Sequence, residues 1–128
     1  TQLQCTNEGW RFELRLDRKR VFAGDSVNAR LRVIDPAGNA CFGLEPLMGA
    51  FAHIVGFLDD RQTMIHVHSH GDPPHELSRS GPEVPFRFSA PRSGFLKLFV
   101  QTQVGGTVLL AKFGLPVETV PGSGEPSR

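Results

Sequence analysis

The sequence has no long apolar run and no marked excess of charge of either sign. No stretch approaches the ~20 consecutive apolar residues that a helix needs to cross a bilayer, so we predict no transmembrane segment. Lysine and arginine number 14 against 13 acidic residues, which gives a net charge of +1. Nucleic-acid binding needs a concentrated basic surface, and we therefore expect no nucleic-acid partner. The short basic stretches at 18–20 and 30–32 are interpreted as a solvated turn and the outer face of a strand.

Catalytic motifs are missing as well. The chain contains no G-x-S-x-G elbow, and neither cysteine has an evident histidine partner, so nothing indicates nucleophilic catalysis. Gly105-Gly106 suits a hairpin rather than the strand-to-helix turn of a phosphate-binding loop. We predict that the protein is not an enzyme and has no catalytic residues. A zinc hydrolase with Glu45 as general base is the least favoured alternative.

Cysteine is scarce, and the two cysteines allow two interpretations. Cys5 and Cys41 do not have the C-x-x-C spacing of a redox or zinc motif. In an exported protein they would suit a single disulfide, whereas in the cytosol they would be two separate thiols. The residues alone leave both interpretations open.

The pattern of apolar residues predicts strands along the whole chain and no helix. Residues 10–16 and 27–33 alternate apolar and polar side chains with a period of two, which is typical of half-buried strands. The nearly continuous apolar run at 51–58 is typical of a strand that is buried on both faces. Four further strands are predicted at 63–68, 84–89, 94–103 and 107–117. The last two are joined by a tight hairpin at Gly105-Gly106.

About seven short strands predict an all-β fold, an antiparallel two-sheet sandwich of immunoglobulin or cupredoxin type. A chain of 128 residues fits one domain, which we place at 1–118. The low-complexity residues 119–128 are predicted to form a disordered tail. Residues 69–82 form a long loop rich in glycine, proline and serine, and loops of that length in compact domains are often functional.

Histidine is concentrated in one part of the chain. His53, His66, His68 and His70 lie close together in the sequence, and the last three share one parity. In an extended segment they point to the same side, with adjacent members roughly 7 Å apart. Two such imidazoles can converge on one ion, because each ligand bond adds ~2 Å of reach.

A hairpin turn centred on Asp60 and Arg61 would bring a third histidine to this group. Reflection about that turn places His53 directly opposite His68, with His66 two residues along on the same face. Facing residues of an antiparallel pair lie ~5 Å apart. The spacing therefore predicts a metal site on neighbouring strands, although the length of the loop can shift the register.

Several ions and one metal-free interpretation suit these residues. Imidazole binds Cu(II), zinc and nickel, and thioethers such as Met48 or Met64 favour Cu(I). A type 1 copper site is rejected, because Cys41 lacks the spaced histidine and methionine that accompany its thiolate. In the metal-free interpretation, His53 is a core histidine that donates to a backbone carbonyl. His66 and His68 would then pair with carboxylates.

Three segments resemble a group of bacterial exported β-sandwich domains found in cupredoxin-like or heavy-metal-associated proteins. The segments are Glu45-Pro46-x-Met48-Gly49-x-x-x-His53, His66-Val67-His68, and Gly94-Phe95-x-Lys97-Leu98-Phe99-x-Gln101. The resemblance covers residues 9–118. Ser69 stands where these domains have proline after the second histidine, and this changes the exit from the strand.

The resemblance implies a ligand set and a location. By analogy His53, His66 and His68 form a histidine cluster with copper as the ion, zinc being the alternative. Met48 is added to the predicted ligands for its thioether, which favours Cu(I). It also implies a periplasmic or extracellular protein. That location favours the disulfide between Cys5 and Cys41.

Two functional hypotheses follow. The first is a non-enzymatic exported domain that binds copper through the histidine cluster, as a carrier or sensor. The second is a metal-free accessory domain that docks on a protein partner in a larger membrane-associated or periplasmic complex. The second is motivated by apolar residues around a Gly/Pro loop, namely Phe42, Leu44, Leu47 and Phe51, since exposed apolar patches often mark interfaces.

Overall fold

All regular structure in the described part of the chain is β. A computed structural model describes residues 2–47, 51–60, 63–69 and 83–120, with the backbone alone at 66, 68 and 69. Among these residues no helix is long and apolar enough to cross a membrane. The strands are β1 (Gln4–Asn7), β2 (Trp10–Leu16), β3 (Val21–Phe22), β4 (Val27–Ile34), β5 (His53–Leu58), β6 (His66–Ser69), β7 (Glu83–Ser89), β8 (Gly94–Val104) and β9 (Thr107–Glu118).

The strands form two sheets, which confirms the predicted all-β two-sheet fold. One sheet has five strands in the order β1-β2-β4-β7-β6, and the other has four in the order β3-β9-β8-β5. All the pairs are antiparallel except the short pair of β3 with β9. β1 and β3 were not predicted from the sequence. The four residues of β1 do not alternate apolar and polar side chains, and the two residues of β3 are too few to show a period.

The core lies between the sheets and is built by the alternation of the long strands. Every second residue turns inward, so the inner side of each sheet is almost entirely apolar. The completely or almost completely buried apolar positions include Phe12 and Leu14 in β2, Val27, Ala29, Leu31 and Val33 in β4, and Leu96, Leu98 and Val100 in β8. Burying a side chain such as Leu98 contributes about 1.5–3 kcal/mol relative to leaving it exposed.

The hairpin predicted between the last two strands is confirmed. Val104 pairs with Thr107, and the two central residues, Gly105 and Gly106, have φ of 55° and 78°. Two positive φ angles are what a type I′ turn requires, and glycine adopts them without steric penalty. This turn sets the register of the longest strand pair in the molecule.

The turn between β5 and β6 corrects the predicted meeting of the histidines. Close to the turn the expected register holds, since Phe57 pairs with Met64 and the amide of Ile65 donates to the carbonyl of Gly56 at 3.1 Å. Beyond Ile65 the chain passes to the other sheet. His53 pairs with Gln101 on β8, whereas His68 pairs with Arg87 on β7. The placement of His53 opposite His68 is therefore wrong.

Ile65 is the last residue of this segment that keeps the register with β5. Its side chain is buried and lies against the bare backbone of Gly56, where any Cβ would collide with it. Position 65 faces position 56 across the turn, so the Ile65 side chain points into the core on the same side as the buried Gly56. β5 also differs from its prediction as a strand buried on both faces. It begins at His53 and is an edge strand, with Val55 exposed.

The two cysteines are free thiols, contrary to the expected disulfide. Cys5 on β1 lies beside Phe12 on β2, and Phe12 lies beside Val33 on β4. Cys41 lies on the far side of β4, where its amide donates to the carbonyl of Val33. Three strand spacings of ~4.8 Å put the cysteines roughly 14 Å apart, about twice the Cα separation that a disulfide spans.

Candidate functional site

The outer surface of the four-stranded sheet carries an unusual number of exposed apolar side chains. We call this surface the apolar face. Five large apolar residues on it are 36% to 52% exposed, namely Val55, Phe95, Phe99, Val108 and Leu110. They occupy the outward positions of β5, β8 and β9, opposite in parity to the buried core residues of the same strands. The core is complete without them, so folding does not require these positions to be apolar.

Cross-strand pairing arranges these side chains in rows. Val55 pairs with Phe99, and Phe99 pairs with Lys112. The Phe99 ring also meets the Phe57 ring edge-on, with centroids 6.4 Å apart and planes at 64°. Such aromatic pairs contribute about 0.5–1.5 kcal/mol beyond the area that they bury. The centre of the apolar face is thereby held in one arrangement.

A glycine shapes one end of the same face. The Phe95 ring lies against the backbone of Gly114, where an added Cβ would come within 2.8 Å of the ring. A ring that covers a strand glycine in this way supplies the packing that the missing side chain would have provided. Phe95 therefore lies flat on the sheet rather than standing out from it.

An open depression of about 630 Å³ lies on the apolar face. Val55, Phe99 and Leu110 supply apolar walls, and β1 closes one side. β1 is held there because the side-chain amide of Asn7 donates to the carbonyl of Leu110 at 2.9 Å. An apolar cleft with a few polar groups at its margin is the usual form of a binding site.

The polar groups of this depression include one fixed charge, which is positive. Among the described residues that line it, Lys112 is the only one with a permanent charge, and His53 and Gln101 add further polar groups. Lys97 stands on the same face and is also exposed. The carboxylate of Glu45, beside the β8–β9 hairpin, accepts from the amide of Gly106 at 2.9 Å. The electrostatics of the depression therefore favour an apolar ligand that carries a negative group.

His53 lies at the margin of the depression with one ring nitrogen already engaged. Its Nε2 is within hydrogen-bonding distance of the carbonyl of Leu47. Because a carbonyl can only accept, Nε2 carries the proton, and Nδ1 keeps the lone pair in the neutral ring. This contact agrees with the interpretation of His53 as a donor to a backbone carbonyl. A metal ion could use only Nδ1.

The other predicted metal ligands are not brought to His53 by strand pairing. His66 and His68 lie on β6 at the edge of the opposite sheet, where they pair with Ser89 and Arg87. Met48 lies outside the described residues, as do His70 and the loop that contains His75. In the part of the chain that is described, no group of three or more His, Cys, Asp or Glu side chains could hold a metal ion.

The predicted apolar patch around the Gly/Pro loop is also wrong in its position. Of its four residues only Phe42 is exposed, at 69%, whereas Leu44 is completely buried and Leu47 and Phe51 are half-buried. The apolar face lies on β5, β8 and β9 instead. The sequence does contain a signal for it, because β8 and β9 carry apolar residues on both parities. Strands with one wet face usually alternate apolar and polar residues.

Comparison with known protein families identifies the chain at the family level. Residues 6–119 match the family described as "Domain of unknown function (DUF8832)", and the chain belongs to this family. The match extends over nearly all of the described strands. A comparison with curated proteins yields no match.

Proposed function

We propose that this chain is a non-catalytic interaction domain that docks on a protein partner through the apolar face. The observation that carries the proposal is the concentration of five exposed large apolar side chains on one side of one sheet. Isolated exposed apolar residues are ordinary, but a contiguous group marks an interaction surface. The proposal corresponds to the accessory-domain hypothesis, with a different surface from the one the sequence suggested.

The charges of the apolar face suggest the chemistry of the partner. Lys97 and Lys112 have no ion pair with any residue described in the structure, and Lys112 borders the depression. A second copy of this chain bound face to face would bring lysines towards lysines, which is unfavourable in an apolar contact. A partner segment with apolar residues and carboxylates would fill the depression and pair with Lys112.

Titration with designed peptides tests this proposal. The probe is an extended peptide of alternating leucine and glutamate, and its matched control replaces each glutamate with lysine. We expect saturable NMR shifts in β5, β8 and β9 with the acidic peptide, and binding at least tenfold weaker with the basic one. Leu110→Ser should weaken binding, because Leu110 is an exposed wall of the depression. Phe42→Ser, which removes an exposed ring outside the face, should not.

Two results would contradict the proposal. One is a loss of binding in Phe42→Ser as large as that in Leu110→Ser, which would indicate general hydrophobic adhesion. The other is a set of shifts spread equally over both sheets.

Copper binding through His53, His66, His68 and Met48 in an exported protein is the second candidate. The pairing of Phe57 with Met64 favours it, because this turn joins β5, at the edge of one sheet, directly to β6, at the edge of the other. Packed sheets are ~10 Å apart, so an ion shared between them needs ligands that reach inward from both edges. Copper would have to bind Nδ1 of His53, because Nε2 is engaged by the carbonyl of Leu47.

Equilibrium dialysis against copper, followed by metal analysis, tests this second candidate. One tight equivalent is expected in the native protein, and it should be lost in the double variant His66→Ala/His68→Ala. His75→Ala serves as the matched control and should keep the equivalent. Unchanged binding in the double variant would rule out the histidine cluster.

A further inference from the structure

The outer surface of the five-stranded sheet is rich in arginine, and we call it the arginine face. Strand pairing brings together five arginines that are scattered in the sequence, namely Arg11, Arg15, Arg30, Arg32 and Arg87. The described carboxylates on the same outward positions are those of Glu13 and Glu83. Three of the five positive charges are therefore uncompensated on this face, whereas the whole chain has a net charge of only +1.

Compensation is uneven across the arginine face. In one row Glu13 pairs with Arg32 and Arg32 pairs with Glu83, so charges of opposite sign alternate. In the next row Arg15 lies directly opposite Arg30. Like charges at facing positions of a sheet destabilise the strand pair. Nothing about folding therefore favours this juxtaposition.

Of the two carboxylates near the Arg15–Arg30 pair, one is shared between Arg30 and Arg32 and the other is bound by Arg18. Glu83 lies 3.5 Å from Arg30 but is shared with Arg32, which lies 3.9 Å away. Asp17 is bound by Arg18 through two contacts, Nε to Oδ1 at 2.8 Å and Nη2 to Oδ2 at 3.1 Å. Arg15 has no ion pair with any described residue. Its charge is available to a ligand.

A depression of about 430 Å³ lies over this pair. Arg15 and Arg30 line it together with Asn28, whose side-chain amide donates to Asp17 at 3.3 Å, and Pro85. Asp17 also contributes to its margin, with its charge offset by Arg18. Two arginines at facing positions of neighbouring strands, both lining an open depression, suit an anion with several oxygens.

We propose that Arg15 and Arg30 bind a phosphate or sulfate group at this depression. A guanidinium offers a planar fork of N–H donors, and two forks from facing strands can engage two edges of one tetrahedral oxyanion. The anion would relieve the repulsion between the two side chains. The site is on the opposite side of the sandwich from the apolar face, so the inference is independent of the proposed docking function.

Isothermal titration calorimetry at constant ionic strength tests the proposal. The three probes are inorganic phosphate, inorganic sulfate and glycerol phosphate, and chloride is the reference anion. We expect saturable binding of at least one oxyanion, weakened at least tenfold by Arg15→Gln and by Arg30→Gln. Arg11→Gln is the matched control, since Arg11 is exposed on the same face but lies within 3.6 Å of Glu13. It should change affinity less than twofold.

The three probes also identify the source of the anion. Tighter binding of glycerol phosphate than of inorganic phosphate would support an organic phosphate ligand, and preference for sulfate would support a sulfated one. Equal weakening by Arg11→Gln and Arg15→Gln would overturn the proposal, because it would indicate diffuse attraction. Binding no stronger than that of chloride would overturn it as well.

A thermal measurement provides a second test. Without an anion, Arg15→Gln should raise the melting temperature, and added phosphate should cancel that advantage over the native chain.

Discussion

The apolar face and the arginine face belong to one sandwich and obey the same alternation, yet their outward residues differ completely. On the four-stranded sheet the outward positions include Phe99 and Leu110, with lysines at intervals. On the five-stranded sheet they include Arg15 and Arg30. The inward residues of both sheets are apolar, with Thr102 as the buried polar exception among the described residues. Burial therefore dictates one half of each strand, and the other half is free to carry recognition.

The sharpest way to test this division is to change two neighbours on β8. Leu98 points inward and is completely buried, whereas Phe99 points outward and is 45% exposed. Leu98→Ala should lower the free energy of unfolding by about 2–5 kcal/mol, because it leaves a cavity in the core. Phe99→Ala should cost less than about 1.5 kcal/mol, and yet it should weaken docking on the apolar face. Urea denaturation measures both. Equal losses of stability would show that the apolar face is part of the core.

Gly56→Ala disturbs the packing next to the place where the chain passes from one sheet to the other. A Cβ there collides with the buried side chain of Ile65, so we expect a loss of about 1–3 kcal/mol in thermal or urea unfolding. Gly43→Ala is the control, because no atom lies within 4 Å of its added Cβ. In the double variant Gly56→Ala/Ile65→Val the shorter side chain at position 65 should relieve part of this collision and restore part of the free energy of unfolding. If Gly56→Ala alone is neutral, Ile65 does not pack on that glycine.

Thr102 tests how strictly the inward half of a strand must be apolar. It is completely buried on β8, and its Oγ1 has no hydrogen-bond partner among the described residues. Thr102→Val keeps the shape and removes an unsatisfied hydroxyl, so it should raise the free energy of unfolding by about 1 kcal/mol. Thr6→Val, at an exposed position of β1, should change it by less than about 0.5 kcal/mol. Destabilisation by Thr102→Val would mean that the hydroxyl has a partner after all.

The smallest predicted effect concerns pH and lies at the margin of the arginine face. The hydrogen bond from Arg18 lowers the pKa of Asp17 to about 2 from an ordinary value of 3.8. A carboxyl with a lowered pKa stabilises the fold above its unfolded pKa. This contribution should be lost as the pH falls from about 4 through 2. The group is about one-third exposed, so screening limits it to at most about 1 kcal/mol.

Acid denaturation of two variants checks this assignment. Asp17→Asn and Arg18→Gln should both flatten the fall in stability between about pH 4 and pH 2, because each removes one partner of the pair. An unchanged slope in both would place the acid sensitivity elsewhere. The pair of Arg20 with Glu118 is a second contributor of the same sign, since it also lowers the pKa of the Glu118 carboxyl.

Local patterns predicted the strands well where the alternation was long. The predicted strand at 10–16 coincides with β2, and the strand at 27–33 differs from β4 by one residue. The donor role of His53 towards a backbone carbonyl was also among the interpretations of the sequence. Short strands were missed, because two to four residues contain too little periodicity. The histidine cluster failed as a single ladder, because the register was right only as far as Ile65.

Local residue patterns are enough to specify the all-β class, the inward-facing half of the long strands and the glycine hairpin, because these depend on nearest neighbours and on a period of two. The choice of strand partners, in contrast, is decided only by the tertiary structure of the whole sandwich. It separated His53 from His68, kept Cys5 from Cys41, and gathered arginines from three strands onto one face. The physical reason is that pairing is settled by burying side chains such as Ile65 between the sheets, which couples residues that are distant in the chain.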